Sequence, residues 1–569
     1  MHTILRPLLA SLLVLPAPAL AQHPPVAELP RKHTPEPTTA DITVRDLMTR
    51  TYIIADDSME GRDTGRRGGV RSANYIAREL ARLGLEPAGD NGTFLQAIPW
   101  ISRTPDSTST LQIGATSLHW GTDFLLLPKL GFALALGGQP FGGGFRGENV
   151  ASVYGGRIGG ATIAPAEVRG KVVVFGTEAT SASFTFWQRD NLRRYADAKA
   201  IVVATLDIGA PAAYRATRET YWDSAATGAA RPLTVITMTN AAAEHFFARP
   251  LASLAVGTIG VTMSGRVTFI DTPTEAPAYN VVGILRGTDA RLRNSYVAVG
   301  AHHDHVGFSR PVDHDSIRAF NSVARQRGAD DRPRQATTEE TARIKAILDS
   351  LHAAHPARLD SINNGADDDG SGSVLELEIA ESFARSAQRP KRSLLFVWHT
   401  AEEKGLYGAQ YFSDHPTVPR DSIIAQVNMD QMGRGDPIDN PRGGSNSLVL
   451  IGSRRLSTEL GDLAERVNKK PEYAFTLDYT FDADGDPTNG YCRSDHYMYA
   501  RYGIPVVFYS AAAWHIDYHM VSDEPQYIAY DRMTRIGKYI RDVIGSIANL
   551  DHRPVVDKPK PDPDGVCRQ

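Results

Sequence analysis

The stretch AVGAHHDHVG at residues 298–307 ends an apolar run in three histidines and an aspartate. Four further segments end hydrophobic runs in metal-ligand residue types: NGADDDGSG (364–372), FVWHTAEEKG (396–405), QVNMDQMG (426–433) and DYHMVSDEP (517–525). Strands buried on both faces read as unbroken apolar runs, and YVAVGA (296–301), SLLFVWH (393–399), IIAQVNM (423–429) and IPVVFYS (504–510) have that texture. Helical patterns lie between them, as over 374–386, where Leu375, Ile379 and Phe383 share a stripe. The alternation predicts an α/β fold, a mixed and mostly parallel sheet flanked by helices. In such sheets ligands bind beyond the carboxyl ends of the strands. His302, Glu402, Glu403 and Asp430 all fall at such ends.

Working outward, residues 44–85 turn helical: Ala73, Ile76, Ala77, Leu80 and Leu83 recur at helical steps, and Gly84 ends the run. MEGRDTGRRGG (59–69) reads as a turn-rich basic loop between two helical stretches. From about 111 to 269 the texture changes to short β-like runs: VRGKVVVFG (168–176), KAIVVATLD (199–207), LTVITM (233–238) and VTMSGRVTFI (261–270). They predict a β-rich module inserted at 111–275, without a ligand cluster. Its glycine runs at 137–138, 142–144 and 155–156 lack the setting of a phosphate cradle and read as loops. Residues 308–362 interrupt the α/β part. One helix is marked there by the capping box of Thr337 and Glu340, ahead of Ile344, Ile347, Leu348 and Leu351. This insertion is expected to overhang the site.

Composition narrows the partners. With 42% hydrophobic and 22% charged residues and a net charge of −4, the 569-residue chain has no basic field for nucleic acid or anionic membranes. Residues 1–21 read as an export signal: Arg6, an apolar stretch from Pro7 to Pro18, and a small-residue cleavage site at Ala19-Leu20-Ala21. Residues 22–43 read as a flexible leader and 549–569 as a Pro-rich tail. No later stretch reaches the ~18 apolar residues of a membrane span. The expectation is an exported protein, periplasmic or secreted, whose oligomeric state is left open. Cys492 and Cys567 allow one disulfide closing a long loop, or a loosely held Cys567 in the tail. Both stay open.

The donor types define the chemistry. In an extended segment His302 and Asp304 face one way and His303 another, so Asp304 can fix the His302 tautomer. One aspartate suffices to cap the helix starting near Ser371, and three in a row repel unless a cation neutralises them. Adjacent Glu402 and Glu403 point in different directions, which lets one bind metal while the other serves as base. Asp430 follows a buried strand, and His519 lies in an aromatic loop beside Tyr518. His399 and His515 read as structural. The aspartates at 482, 484 and 486 lack the glutamate that a calcium loop needs at its twelfth position, where Arg493 stands. No GxSxG elbow occurs.

With these segments in order, the chain resembles the secreted di-zinc exopeptidases, the family of bacterial aminopeptidases and glutamate carboxypeptidases. The resemblance covers about 44–110 and 276–548. It makes those parts one peptidase domain and implies that the β-rich insertion is protease-associated-like. It further implies two zinc ions, one held by His302 and Asp430, the other by Glu403 and His519, with Asp368 bridging. Glu402 would be the general base, Asp304 the orienter of His302 and Tyr518 a stabiliser of the oxyanion. Asp367 and Asp369 stand as alternatives to Asp368 for the bridge. The implied activity is hydrolysis of the N-terminal peptide bond of peptides. A carboxypeptidase or dipeptidase on the same core, with Arg493 or Arg501 meeting a carboxylate, stands as the alternative. An inactive receptor-like protein is the third reading.

Overall fold

Nine strands form the main sheet among the described residues of the computed structural model. Those residues are 29–126, 143–177, 192–207, 218–221, 233–325, 334–435, 444, 446–511, 515, 517–563 and 567–569. The expected export signal and glycines 137, 138 and 142 lie outside them. The strands are β1 (Glu86–Pro87), β2 (Leu95–Ile98), β3 (Ala278–Leu285), β4 (Tyr296–His302), β5 (Ser393–His399), β6 (Ile423–Met429), β7 (Ser447–Ile451), β8 (Thr476–Asp478) and β9 (Val506–Ser510). Their order is β1-β3-β5-β4-β6-β9-β7-β8, with β2 also pairing on β3. The central strands β5, β4, β6 and β9 run parallel, and β3 and β7 join them antiparallel.

Six helices matter for the site: α1 (Val44–Ile54), α2 (Arg67–Arg82), α3 (His314–Ala324), α4 (Thr338–Ala354), α5 (Gly370–Ala384) and α6 (Tyr530–Ala548). Side chains alternate across the sheet, and both faces are covered. Val297, Val299, Phe396, Trp398 and Val427 pack in one core with Leu47, Ile76, Leu375 and Met533 from the helices. Ala298, Leu395 and Val397 pack on the other face with Ala409 and Phe412. Each such burial contributes roughly 1.5–3 kcal/mol, which is why the apolar runs settle at the centre of the sheet.

A second, eight-stranded sheet is built from strands between Thr110 and Val267. Its parallel part comprises Phe145–Arg157, Val172–Gly176, Ala200–Ala204 and Val235–Met238. Trp100–Pro105 leads out to this module and Phe269–Pro273 leads back, paired antiparallel. Gly155 and Gly156 are not in a loop. They lie within the strand Phe145–Arg157 at a register shift, where Gly156 has φ 102°.

Two other expectations are corrected, and the open alternative for Cys567 is decided. The described part of the leader is anchored: the Thr38 hydroxyl donates to Glu381 at 2.7 Å, and Thr39 to Asp46 at 2.6 Å. The tail is also held, by a Cys492–Cys567 disulfide and by the Asp557 amide donating to the Leu456 carbonyl at 3.1 Å. The basic segment 59–69 ends inside α2, and an added Cβ on Gly68 would meet the Met59 carbonyl at 2.1 Å. Helix and turn therefore pack backbone to backbone there.

Helix α5 is buried almost all round, including Glu376, Glu378 and Glu381, and not along a single stripe. Arg50 of α1 answers two of these carboxylates, with Nε 2.5 Å from Glu378 and Nη2 2.6 Å from Glu381. Arg50→Ala strands Glu378 in the interior, whereas Glu381 keeps Arg82 and Arg385. Chemical denaturation should show a loss of about 3–5 kcal/mol, and a loss below ~1 kcal/mol would contradict this role.

Candidate active site

His302 is the last residue of β4 and stands in register with His399 of β5. Asp430 follows β6 directly, and Glu402 and Glu403 follow β5. The three aspartates enter α5 by one turn, and each turns a different way. Asp369 caps the helix, accepting from the Gly372 amide at 2.9 Å, and also accepts from the His302 amide at 3.1 Å. Asp367 accepts from the Gly433 amide at 2.6 Å and the Ser371 hydroxyl at 2.8 Å. Asp368 alone faces the strand ends. The peptide joining it to Asp369 is cis.

Asp368 stands between two imidazoles. Its Oδ1 is 3.4 Å from His302 Nε2, and its Oδ2 is 3.1 Å from His519 Nε2. On one side Asp430 Oδ1 lies 3.7 Å from His302 Nε2. On the other, Glu403 Oε2 lies 2.9 Å from His519 Nε2. Glu402 Oε2 is 3.9 Å from His302 Nε2. The Tyr518 ring stacks on His519 at 3.8 Å. The predicted residues therefore meet around one carboxylate.

Buried Asp368 Oδ2, Asp430 Oδ1 and His519 Nε2 have no hydrogen-bond partner. Buried polar atoms ordinarily find one, and a mixed set of carboxylate and imidazole donors left open suits a divalent cation. The donors of His302, Asp368 and Asp430 lie within 4.8 Å of one another, as do those of His305, Asp368 and Glu403. Asp368 belongs to both groups.

The surroundings set the charge. Burial pushes Asp368 upward, but the neighbouring imidazoles of His302 and His519 outweigh it and hold the carboxyl well below its usual range. Burial lowers the His519 pKa, yet Glu403 and Asp368 raise it to about 10. Burial, then the neighbouring Glu403 and Asp430, pushes Glu402 well above the ordinary glutamate value. Burial lowers His303 to about 4, and its Nε2 lies 2.9 Å from the Tyr279 carbonyl. It faces away, as expected.

Asp304 differs from the expectation. His302 Nδ1 is 3.1 Å from the backbone carbonyl of Asp304 and 3.7 Å from its carboxylate. That carboxylate accepts instead from the Glu402 amide at 3.1 Å and the Thr64 hydroxyl at 3.1 Å. His399 is structural, at 3.2 Å from Asp495. Arg501 pairs with Asp414, away from the site.

Two residues escaped the sequence reading. His305 Nδ1 approaches Glu403 Oε1 at 2.8 Å, because the chain leaves β4 after His302 and strict alternation ends. Arg62 is fully buried, and its guanidinium donates to the carbonyls of His303 (2.9 Å), Asn364 (2.5 Å), Gly365 (2.8 Å) and Asp368 (3.3 Å). It ties the His302 loop to the aspartate turn. Nothing in a charged segment marks one arginine of several for this.

A recess of about 520 Å³, part of it open to solvent, adjoins these groups. Glu402, Asp430, Arg493 and Tyr518 supply its polar wall, and Ile451 and Phe481 part of its apolar one.

Residues 280–544, a little under half of the chain, match the family model described as Peptidase family M28. The chain is 37% identical over 84 residues to leupeptin-inactivating enzyme 1 of Streptomyces exfoliatus, covering 14% of this chain and 19% of that protein. It is 32% identical over 178 residues to leucine aminopeptidase 1 of Coccidioides posadasii, covering 30% and 42%. The match thus spans less than half the length of either relative. Among solved structures, the aminopeptidase from Aneurinibacillus sp. strain AM-1 is similar at 15% identity and TM-score 0.45, over 91% of this chain and 97% of that one.

Replacing Arg62 by Met leaves carbonyls of both loops without their donor. Affinity for a divalent cation, read by isothermal titration, should fall about 10–100-fold. Unchanged affinity would deny Arg62 its positioning role.

Proposed function

We propose that the chain is a zinc-dependent exopeptidase that removes the N-terminal residue from peptides. The observation that carries this is the shared position of Asp368, one oxygen toward His302 and the other toward His519. His302 and Asp430 would hold one zinc, Glu403 and His519 the other, and Asp368 both; His305 stands beside the second group. When bound, the ions would supply Lewis-acid polarisation of the scissile carbonyl and acidify water.

The protein groups supply the rest. Glu402, on the recess wall, accepts a proton from the attacking water and returns it to the departing amine. Asp304, through the Glu402 amide, fixes where that carboxylate sits. Tyr518 donates toward the carbonyl oxygen as negative charge develops there. The apolar part of the recess suits an uncharged first side chain. Similarity to a protein named leucine aminopeptidase agrees with this reading. The module at 111–275 is taken as protease-associated-like, and the protein as exported.

Arg493 on the recess wall favours a second reading, in which a free carboxylate is recognised and the enzyme is a carboxypeptidase or dipeptidase. The retained Glu402 counts against an inactive receptor.

Aminoacyl-chromophore substrates with free and with acetylated N-termini separate these readings. Only the free amine should be cleaved by an aminopeptidase. Glu402→Gln should retain wild-type zinc content while kcat falls by about 2–4 orders of magnitude. Near-wild-type turnover in that variant, or cleavage of the acetylated substrate, would overturn the proposal.

A further inference from the structure

The insertion at 308–362 holds a second group of metal-type donors that the site above does not use. Its strands Phe308–Asp313 and Leu359–Ile362 pair antiparallel, and between them run α3 and α4. Asp313 caps α3, and Asp315 lies in its first turn. His352 and His355 lie three residues apart at the end of α4.

Asp313, Asp315 and His352 face each other across the two helices, and His355 stands beside them with its Nδ1 also 3.2 Å from the Pro356 carbonyl. His352 Nε2 is 2.9 Å from Asp313 Oδ2, and His355 Nδ1 is 3.6 Å from Asp315 Oδ2. Donor atoms of Asp313, Asp315 and His352 lie within 4.8 Å of one another. Two donors each ~2.0 Å from a tetrahedral zinc stand ~3.3 Å apart, and the two spacings fall on either side of that value. Asp315 is 4% exposed, and its Oδ2 is buried with no hydrogen-bond partner. Arg358 Nη2 meets the other oxygen of Asp315 at 2.9 Å and His314 Nδ1 at 2.8 Å. One guanidinium against two carboxylates leaves a negative excess.

The insertion also needs a staple. None of the seventeen residues of α4 is buried. Structural units without a sufficient core are commonly held by disulfides or metal ions, and metal binding then contributes folding free energy. An imidazole beside two carboxylates suits zinc.

We propose that Asp313, Asp315 and His352 form a structural zinc site that clips α4 to α3, with His355 beside Asp315. The clip also bears on the catalytic region. The Asn321 amide of α3 donates to Met520 Sδ at 3.1 Å, one residue past His519, and Arg318 stacks over Tyr527 at 3.4 Å. Fixing α3 fixes the neighbours of the His519 loop.

The test uses the full chain, stripped with a chelator and dialysed against zinc, with metal content measured by mass spectrometry. The H352A/H355A variant should bind one zinc fewer per chain than wild type. D368N, which removes the carboxylate shared by the other site, should still bind one zinc, and zinc should slow proteolysis within 308–362 in this background. Adding H352A/H355A should abolish that uptake and protection. Equal zinc in wild type and H352A/H355A, or no protection by zinc in D368N, overturns the clip. Should the catalytic reading alone fail, the difference of one zinc between wild type and H352A/H355A would persist, so the two failures are separable. If H352A/H355A does not fold, the proteolysis of D368N with and without zinc decides the question.

Discussion

The constraint on which the rest depends is a crowd of acids kept dry. Asp304, Glu402 and Asp430 are buried just past the ends of neighbouring strands and Asp368 in the turn entering α5, with Asp367 and Asp369 directly behind. Like charges that share a low-dielectric space disfavour ionisation, and a buried charge is costly unless it is paired. Compensation is divided by position. Backbone amides take Asp367 and Asp369, the Glu402 amide and Thr64 take Asp304, and the Ser494 hydroxyl takes one oxygen of Asp430 at 2.9 Å. Asp368 and the second oxygen of Asp430 are left facing imidazoles.

Holding such a cluster demands rigid support on both sides, and the sheet gives it. Parallel strands buried on two faces deliver His302, Glu402 and Asp430 to one edge in fixed register. Helix α5 begins at the same edge, so the residue that caps it, Asp369, also accepts from the His302 amide. Two buried arginines work at different depths. Arg50 neutralises acids inside the helical layer, and Arg62 joins the loops that carry the donors. Neither touches the recess.

Much of this was legible because it rests on local rules. Unbroken apolar runs marked β4, β5, β6 and β9, and His302, Glu402, Glu403 and Asp430 stand at or just past the ends of three of them. The capping box at Thr337 marked α4, and its bonds are present. Other features depend on tertiary geometry that no spacing encodes. Which of three consecutive aspartates faces the site follows from how the turn enters α5. His305 joins the cluster only because the strand stops at His302. Arg62 resembles its basic neighbours in sequence and differs from them in being fully buried. Helix α3 carries too short and polar a pattern to stand out, and the pair Gly155–Gly156 reads as a loop when the strand simply bends through it.

The most direct test is anomalous X-ray scattering from crystals of the zinc-loaded chain, collected at the zinc absorption edge. The account expects two peaks flanking the Asp368 carboxylate, one beside His302 and Asp430, the other beside Glu403 and His519. A map with no density at Asp368, or a single peak that leaves one of those pairs bare, would contradict it.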